Sequence, residues 1–254
     1  MTEVLGELAG RRILVTGSSR GIGRATAALL NERGASVVVH ARAASEHTES
    51  LLAELSARGS ARVALVTGDL DGIAGASAVW DAAAAAFGGL DVLVNNAGAW
   101  IASALEPAEA WLTGWEANLG LNLLAPAELC RRAILHFADN GGGVIVNLAS
   151  RSSHRGDDAE HLAYGAAKGG LLALTKGIAR SYGRDGVLAY AIAPGWVGTE
   201  LADGAIEQSV RDALPLGEVT PARDVAEVVA FLATGRARHT TGATIDITGA
   251  DYVR

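Results

Sequence analysis

Apolar residues along the chain gather in short continuous runs rather than in strict alternation with polar ones. Seven such runs read as strands: RRILVTG (11–17), ASVVVHA (35–41), ARVALVTGD (61–69), LDVLVNNAG (90–98), GVIVNLAS (143–150), GVLAYAIAPG (186–195) and ATIDIT (243–248). Helical patterns lie between them, from Ile22 to Arg33, on to about Arg58, and over VWDAAAAAF (79–87). A long helical region then runs to about His136, and the segment holding Tyr164 is helical to about Tyr182. A strand that is apolar without interruption is buried on both faces, as in a parallel sheet. Strand and helix alternate, so the expected fold is α/β: a Rossmann-type doubly wound parallel sheet of about seven strands with helices on both faces. In such a sheet ligands bind beyond the carboxyl ends of the strands.

Composition narrows the class. Half of the 254 residues are apolar, enough to bury a sizeable core. The five prolines are scattered, with neither linker nor repeat, so residues 1–254 are expected to form one domain. A substrate-covering loop is expected around 200–216. The net charge is −7 and the pI about 5.4, and Lys and Arg form no stripe. That speaks against nucleic acid or an anionic membrane as a partner. The opening MTEVLGELAGRR lacks the order of a signal peptide, and no apolar run approaches a membrane span. The expected location is cytoplasmic. Cys130, the sole cysteine, reads as a small buried hydrophobe beside Leu129, Ala133 and Ile134.

Candidate chemistry begins at TGSSRGIGRA (16–25), between the first strand and the first helix. Gly17 can take a tight turn, Gly21 lets the backbone approach a ligand, and Gly23 permits close helix–strand contact. The helix start then offers free N–H groups to a pyrophosphate. The second strand, VVVHAR (37–42), has no acid to take a ribose 2′-hydroxyl, but it has Arg42, and Arg20 lies in the turn. Two guanidiniums suit a 2′-phosphate, so NADP(H) is expected in preference to NAD(H).

Tyr164 and Lys168 stand four residues apart on one helix face. An ammonium near a phenol favours the phenolate, which free in water forms only near pH 10. YxxxK alone is uninformative. In order with it, however, come TGxxxGxG (16–23), NNAG (95–98), WEANLGLN (115–122), a serine closing VIVNLAS, and PGWVGT (194–199). From about residue 10 to about 248 this set resembles the short-chain dehydrogenase/reductase family, in its single-domain branch.

The resemblance implies roles position by position. Tyr164 would be the general acid in carbonyl reduction and the base in alcohol oxidation. Lys168 would lower its pKa and hold the nicotinamide ribose. Asn122, seven residues after Trp115, would hold a water joining Lys168 to solvent, in preference to Asn118. Around the cofactor would lie Gly17, Ser19, Arg20, Gly21, Ile22 and Gly23 of the turn, with Arg42, Asp69 and Leu70 at the adenine end. Asn95, Ala97 and Gly98 would form the floor, and Pro194, Gly195, Val197 and Thr199 the nicotinamide end. Ser150 is the expected serine; it precedes Tyr164 by 14 positions, one more than is usual in the family, which keeps Ser152 as runner-up. Trp100 and Trp196 follow cleft motifs and are read equally as substrate walls or as packing. Asp157, Asp158, Glu160 and His161 are irregularly spaced and read as a solvated loop, so no metal is expected.

These residues imply hydride transfer between NADP(H) and a small carbonyl or alcohol substrate, with Tyr164 exchanging the proton. One alternative is reduction of a 3-oxoacyl group on acyl carrier protein; such relatives tend to carry bases beside the cleft, whereas HFADNGGG (136–143) and SYGRDGV (181–187) carry Asp139 and Asp185 and few bases, with Arg131 and Arg132 nearby. Another is a non-catalytic NADP sensor, which retention of all four candidate catalytic residues disfavours. A homotetramer is expected, an expectation weakened by the ending DITGADYVR, which departs from relatives.

Overall fold

The computed structural model describes residues 6–57, 61–199 and 208–254. The strands are β1 (Arg12–Val15), β2 (Ser36–Ala41), β3 (Val63–Thr67), β4 (Val92–Asn95), β5 (Gly143–Leu148), β6 (Val187–Pro194) and β7 (Thr244–Ile247). They form one sheet in the order β3-β2-β1-β4-β5-β6-β7, and every pairing is parallel. The helices are α1 (Gly21–Glu32), α2 (Glu46–Ala57), α3 (Ile73–Phe87), α4 (Ala108–Leu119), α5 (Ala125–Asp139), α6 (Ser152–Arg155), α7 (Leu162–Tyr182), α8 (Gln208–Ala213) and α9 (Ala222–Ala233). The expected doubly wound sheet is present, with each predicted run forming its strand.

The unbroken apolar runs are explained by two cores. Ile13 and Val15 of β1 join Val37, Val39, Val92 and Val94 beneath Leu30, Leu51, Val225 and Val229 of α1, α2 and α9. The intervening Leu14, Val38 and Leu93 face the other side, against Trp80, Leu129 and Ile178 of α3, α5 and α7. Successive residues point to opposite faces, and here both faces are covered. Helix α9 was not singled out in the sequence, although it packs on the first core. The expected substrate loop lies outside the described residues over 200–207; α8 occupies 208–213 of it.

The chain leaves β1 outward towards β3, then crosses back to β4. The crevice therefore opens where β1 and β4 end. The Thr16 hydroxyl accepts from the N–H groups of Asn96 and Ala97, both at 3.0 Å, and ties those two ends together.

Candidate active site

The β1–α1 turn borders this crevice. Gly17 has φ +61°, and a Cβ there would lie 2.9 Å from Ala97 Cα. At Gly23 a Cβ would strike the Gly17 carbonyl. Only glycine lets the turn lie this close to β4 and to its own helix. Beside the turn is a cavity of about 870 Å³, bordered by Ser19, Arg20, Gly21, Ile22 and Gly23. Arg42, Asp69 and Leu70 border one end, and Ala97 and Gly98 the floor. Pro194, Gly195, Val197 and Thr199 border the other end. Thr199 approaches the turn so closely that a Cβ on Gly21 would lie 3.2 Å from its Cγ2. A cavity lined by bare glycine backbone, with the exposed Arg20 and Arg42 on its border, fits a dinucleotide phosphate.

One cofactor residue is corrected. Asn95 does not border the cavity; its side chain turns into the second core, where Nδ2 donates to Asn147 Oδ1 at 2.8 Å. It lies on β4, where successive residues alternate faces, and its neighbour Asn96 faces the crevice instead. Asn96 Nδ2 donates to the carbonyls of Thr16 and Gly17 at 2.8 and 3.0 Å.

Ser150 lies just past β5, and Tyr164 and Lys168 lie on the first turns of α7; all three border the cavity. Ser150 Oγ accepts from the Ser152 N–H at 3.1 Å, leaving its own proton for another acceptor. Burial pushes the Tyr164 phenol up to about 12; the hydrogen bond from Ser150 opposes that rise, and the charge of Asp157 adds to it. Burial pulls the Lys168 ammonium down to about 8. Its Nζ donates to Leu148 O at 2.8 Å and stands 5.8 Å from the Tyr164 ring centroid. The shift of the phenol is set by burial, Ser150 and Asp157, and Lys168 is not among its causes. Desolvation dominates both groups, and the ammonium is aimed at a carbonyl of β5.

Asn122 is fully buried, one layer behind the cavity. It lies in a π-helical turn, Gly120–Leu124, between α4 and α5. Its Nδ2 donates to Ala99 O at 3.0 Å and to Asn118 Oδ1 at 3.2 Å, and its Oδ1 accepts from Ala99 N at 3.3 Å. A Cβ on Gly98 would meet both Asn122 Oδ1, at 2.8 Å, and Lys168 Nζ, at 3.2 Å. Asn118 is committed elsewhere, to the carbonyls of Ile101 and Gly114.

The remaining wall is aromatic. Trp100 and Trp196 stand edge to face with centroids 6.4 Å apart. His161 is buried, stacks on Trp100 at 3.7 Å and binds Asp158 Oδ1 at 2.7 Å, whereas Asp158 and Glu160 remain exposed, as expected of a solvated loop. The Arg151 guanidinium lies 4.7 Å over the Trp196 ring and pairs with Asp251 near the carboxyl terminus. Burial, with repulsion from Arg155, lowers Arg151 to about 10. Ser152 also borders the cavity. Asn96, inside the NNAG run, borders it as well; Arg151 and His40 border it too, and sequence reasoning missed those two. A histidine inside the valine run of β2 was the one visible signal. Cys130 is buried, and burial raises its thiol to about 12. Among the described residues, no three His, Cys, Asp or Glu side chains gather as a metal site. No described helix is long and apolar enough to cross a membrane.

A parallel sheet with a glycine-lined slot at its crossover, and a serine, tyrosine and lysine at the far end, defines a dinucleotide-dependent oxidoreductase. A family model described as "Enoyl-(Acyl carrier protein) reductase" matches residues 17–249. The chain belongs to the short-chain dehydrogenase/reductase family and is an NAD(P)-dependent enzyme of alcohol–carbonyl chemistry. It is 35% identical over 250 residues to 3beta-hydroxysteroid dehydrogenase 1 of Eggerthella lenta, covering 96% of this chain and 94% of that one. It is 36% identical over 250 residues to cis-4-hydroxycyclohexanecarboxylate dehydrogenase of Sinomonas cyclohexanicum, covering 96% and 98%. A Burkholderia cenocepacia short chain dehydrogenase solved with NADP superposes with TM-score 0.87 at 34% identity, over 96% of this chain and 98% of that one. The 3-ketoacyl-(acyl-carrier-protein) reductase of Brucella melitensis, solved with NADH, gives TM-score 0.87 at 29% identity, over 97% and 100%.

Proposed function

We propose that the protein transfers hydride between NADP(H) and a small alicyclic ketone or alcohol, with Tyr164 as general acid and base. The observation that carries this reading is that Ser150, Tyr164 and Lys168 border one cavity with the glycine-rich turn. A bound nicotinamide supplies or accepts the hydride. In reduction, the substrate oxygen gathers negative charge; Ser150 Oγ donates a hydrogen bond to it, and Tyr164 Oη hands over its proton. A phenol held up to about 12 is in the acid's protonation state throughout the neutral range, and a value nearer the working pH would let it pass the proton more readily. Positioned proton transfer of this kind contributes roughly 10²- to 10⁴-fold in rate. Lys168 holds the nicotinamide ribose, Asn122 orders a water behind it, and Thr199 binds the carboxamide end.

Arg20 and Arg42 support NADP(H) over NAD(H), since both border the same cavity. One relative was solved with NADP and another with NADH, so the arginines, rather than kinship, carry the preference. Arg42→Ala is expected to weaken NADPH binding about 10-fold and leave NADH binding nearly unchanged. Equal losses for both would contradict the assignment.

The perpendicular pair Trp100 and Trp196 supports a rigid, apolar ring as substrate. Two relatives are named for hydroxysteroid and hydroxycyclohexanecarboxylate substrates. The Brucella reductase favours a second reading, a carrier-bound 3-oxoacyl group. NADPH consumption with cyclohexanones, 3-oxosteroids, linear ketones and 3-oxoacyl carrier protein separates them. Faster turnover of the free cyclic ketones supports the proposal, and faster turnover of the carrier-bound substrate supports the second reading. Residues 1–254 are read as one catalytic unit, located in the cytoplasm. A homotetramer is supported by the exposed Leu112, Leu124 and Leu135 on or beside α4 and α5. A monomer in sedimentation would contradict it.

A further inference from the structure

We propose that His40 is a positioning residue: a neutral imidazole clasp, broken by acid, that holds the glycine-rich turn in its cofactor-receiving shape. The inference rests on the reading of that turn as the dinucleotide site. It goes beyond that reading by assigning a residue and a pH dependence to it.

His40 is 3% exposed and lies near the end of β2. Its ring joins two other strand ends. Nδ1 accepts from the Gly17 N–H at 3.1 Å, and Nε2 lies 3.1 Å from the Gly68 carbonyl, just past β3. A carbonyl only accepts, so Nε2 must carry a proton; an N–H only donates, so Nδ1 must be bare. The two backbone partners thus fix one neutral tautomer. The main chain of His40 adds to the hold: its N–H donates to Ser18 Oγ at 2.9 Å, and its carbonyl accepts from the Ser18 N–H at 2.9 Å. One residue therefore pins the turn after β1 to the ends of β2 and β3.

Gly17 is the point of the turn with φ +61°. Protonating Nδ1 would set a second N–H against the Gly17 N–H, donor facing donor, and the clasp would open. The charged group that acts on the ring is Asp69 past β3; Arg42, two residues along, and Arg20, in the turn, border the same cavity. Burial lowers the imidazole below its ordinary value; the Gly68 hydrogen bond and the charge of Asp69 oppose that lowering without overcoming it. The clasp is therefore closed at neutral pH and opens only in acid. No step of hydride or proton transfer uses His40, so its effect falls on affinity.

The test is calorimetric binding of NADP⁺ from pH 8 to pH 5 by wild type and His40→Phe, with circular dichroism confirming fold. The variant keeps every other titrating group, including those of the ligand. The expected ratio of dissociation constants, variant to wild type, is about 10 at pH 8 and falls towards 1 as the pH drops through the His40 titration. A ratio that stays constant through that titration would overturn the clasp and leave His40 as packing. Failure of wild type to bind NADP⁺ at pH 8 would instead overturn the reading of the site. An amide NMR titration of the cofactor-free wild type decides the geometry even if His40→Phe does not fold. The Gly17 resonance should shift with the His40 titration, and an unmoved Gly17 would overturn the proposal.

Discussion

Lys168 carries its charge where burial disfavours it, and that conflict is measurable. Its folded-state pKa of about 8 lies below the ordinary value of 10.5. Between those values the unfolded chain binds more protons, so the contribution of Lys168 to stability rises with pH through that window and is least below it. Lys168→Met is therefore expected to raise stability at pH 7 by about 2 kcal/mol, after allowing for the lost bond to Leu148. Urea unfolding of both proteins checks this: the gap should shrink as pH passes from 8 to 10.5. A variant less stable than wild type at pH 7 would contradict the account. Tyr164 has the opposite sign: its phenol, raised from 10 to about 12, loses its stabilising contribution as pH climbs through that interval. Between the two serines, Ser150→Ala is expected to lower kcat about 100-fold and Ser152→Ala much less. The reverse order would move the oxygen-binding role to Ser152. The residue types of this site were legible in the sequence through their spacing. Their protonation was not, because burial depends on what β5 and the surrounding loops place around α7.

At the scale of elements, the break between α4 and α5 matters most. A continuous helical region was legible there, but not the π-helical turn Gly120–Leu124 that swings Asn122 inward. Apolar periodicity does not register one extra residue in a turn, and π-helical turns often mark functional sites. Gly120 makes the turn possible, since a Cβ there would lie 2.7 Å from the Asp71 carbonyl. Gly120→Ala is expected to cost about 1–3 kcal/mol and to lower kcat while sparing NADPH affinity. Denaturation midpoints and steady-state kinetics check both parts, and unchanged values for both would show that the turn can shift freely. Helix α9 escaped the sequence reading for another reason. Its stretch Ala222–Ala233 opens after Pro221 with two charged residues and carries no cofactor motif to draw attention to it. Asn95 was misplaced because a motif gives the order of residues and not the strand face each one occupies.

In the molecule as a whole, the strand runs were legible because a parallel sheet buried on both faces leaves uninterrupted apolar sequence. The crossover between β1 and β4 then brings residues from distant parts of the chain to a single cavity. Its dinucleotide end was read through the glycines. Its substrate wall was only half read, because Arg151, paired with Asp251, and Trp100, backed by His161, take their places through tertiary contacts rather than through any local pattern. The central claim is that this cavity performs hydride transfer with Tyr164 exchanging the proton. The most direct test is NADPH consumption with cyclic ketones by wild type and Tyr164→Phe, alongside NADPH binding by both. The account predicts turnover by wild type, a loss of at least about 100-fold in the variant, and binding retained in both. Turnover undiminished in Tyr164→Phe would contradict it.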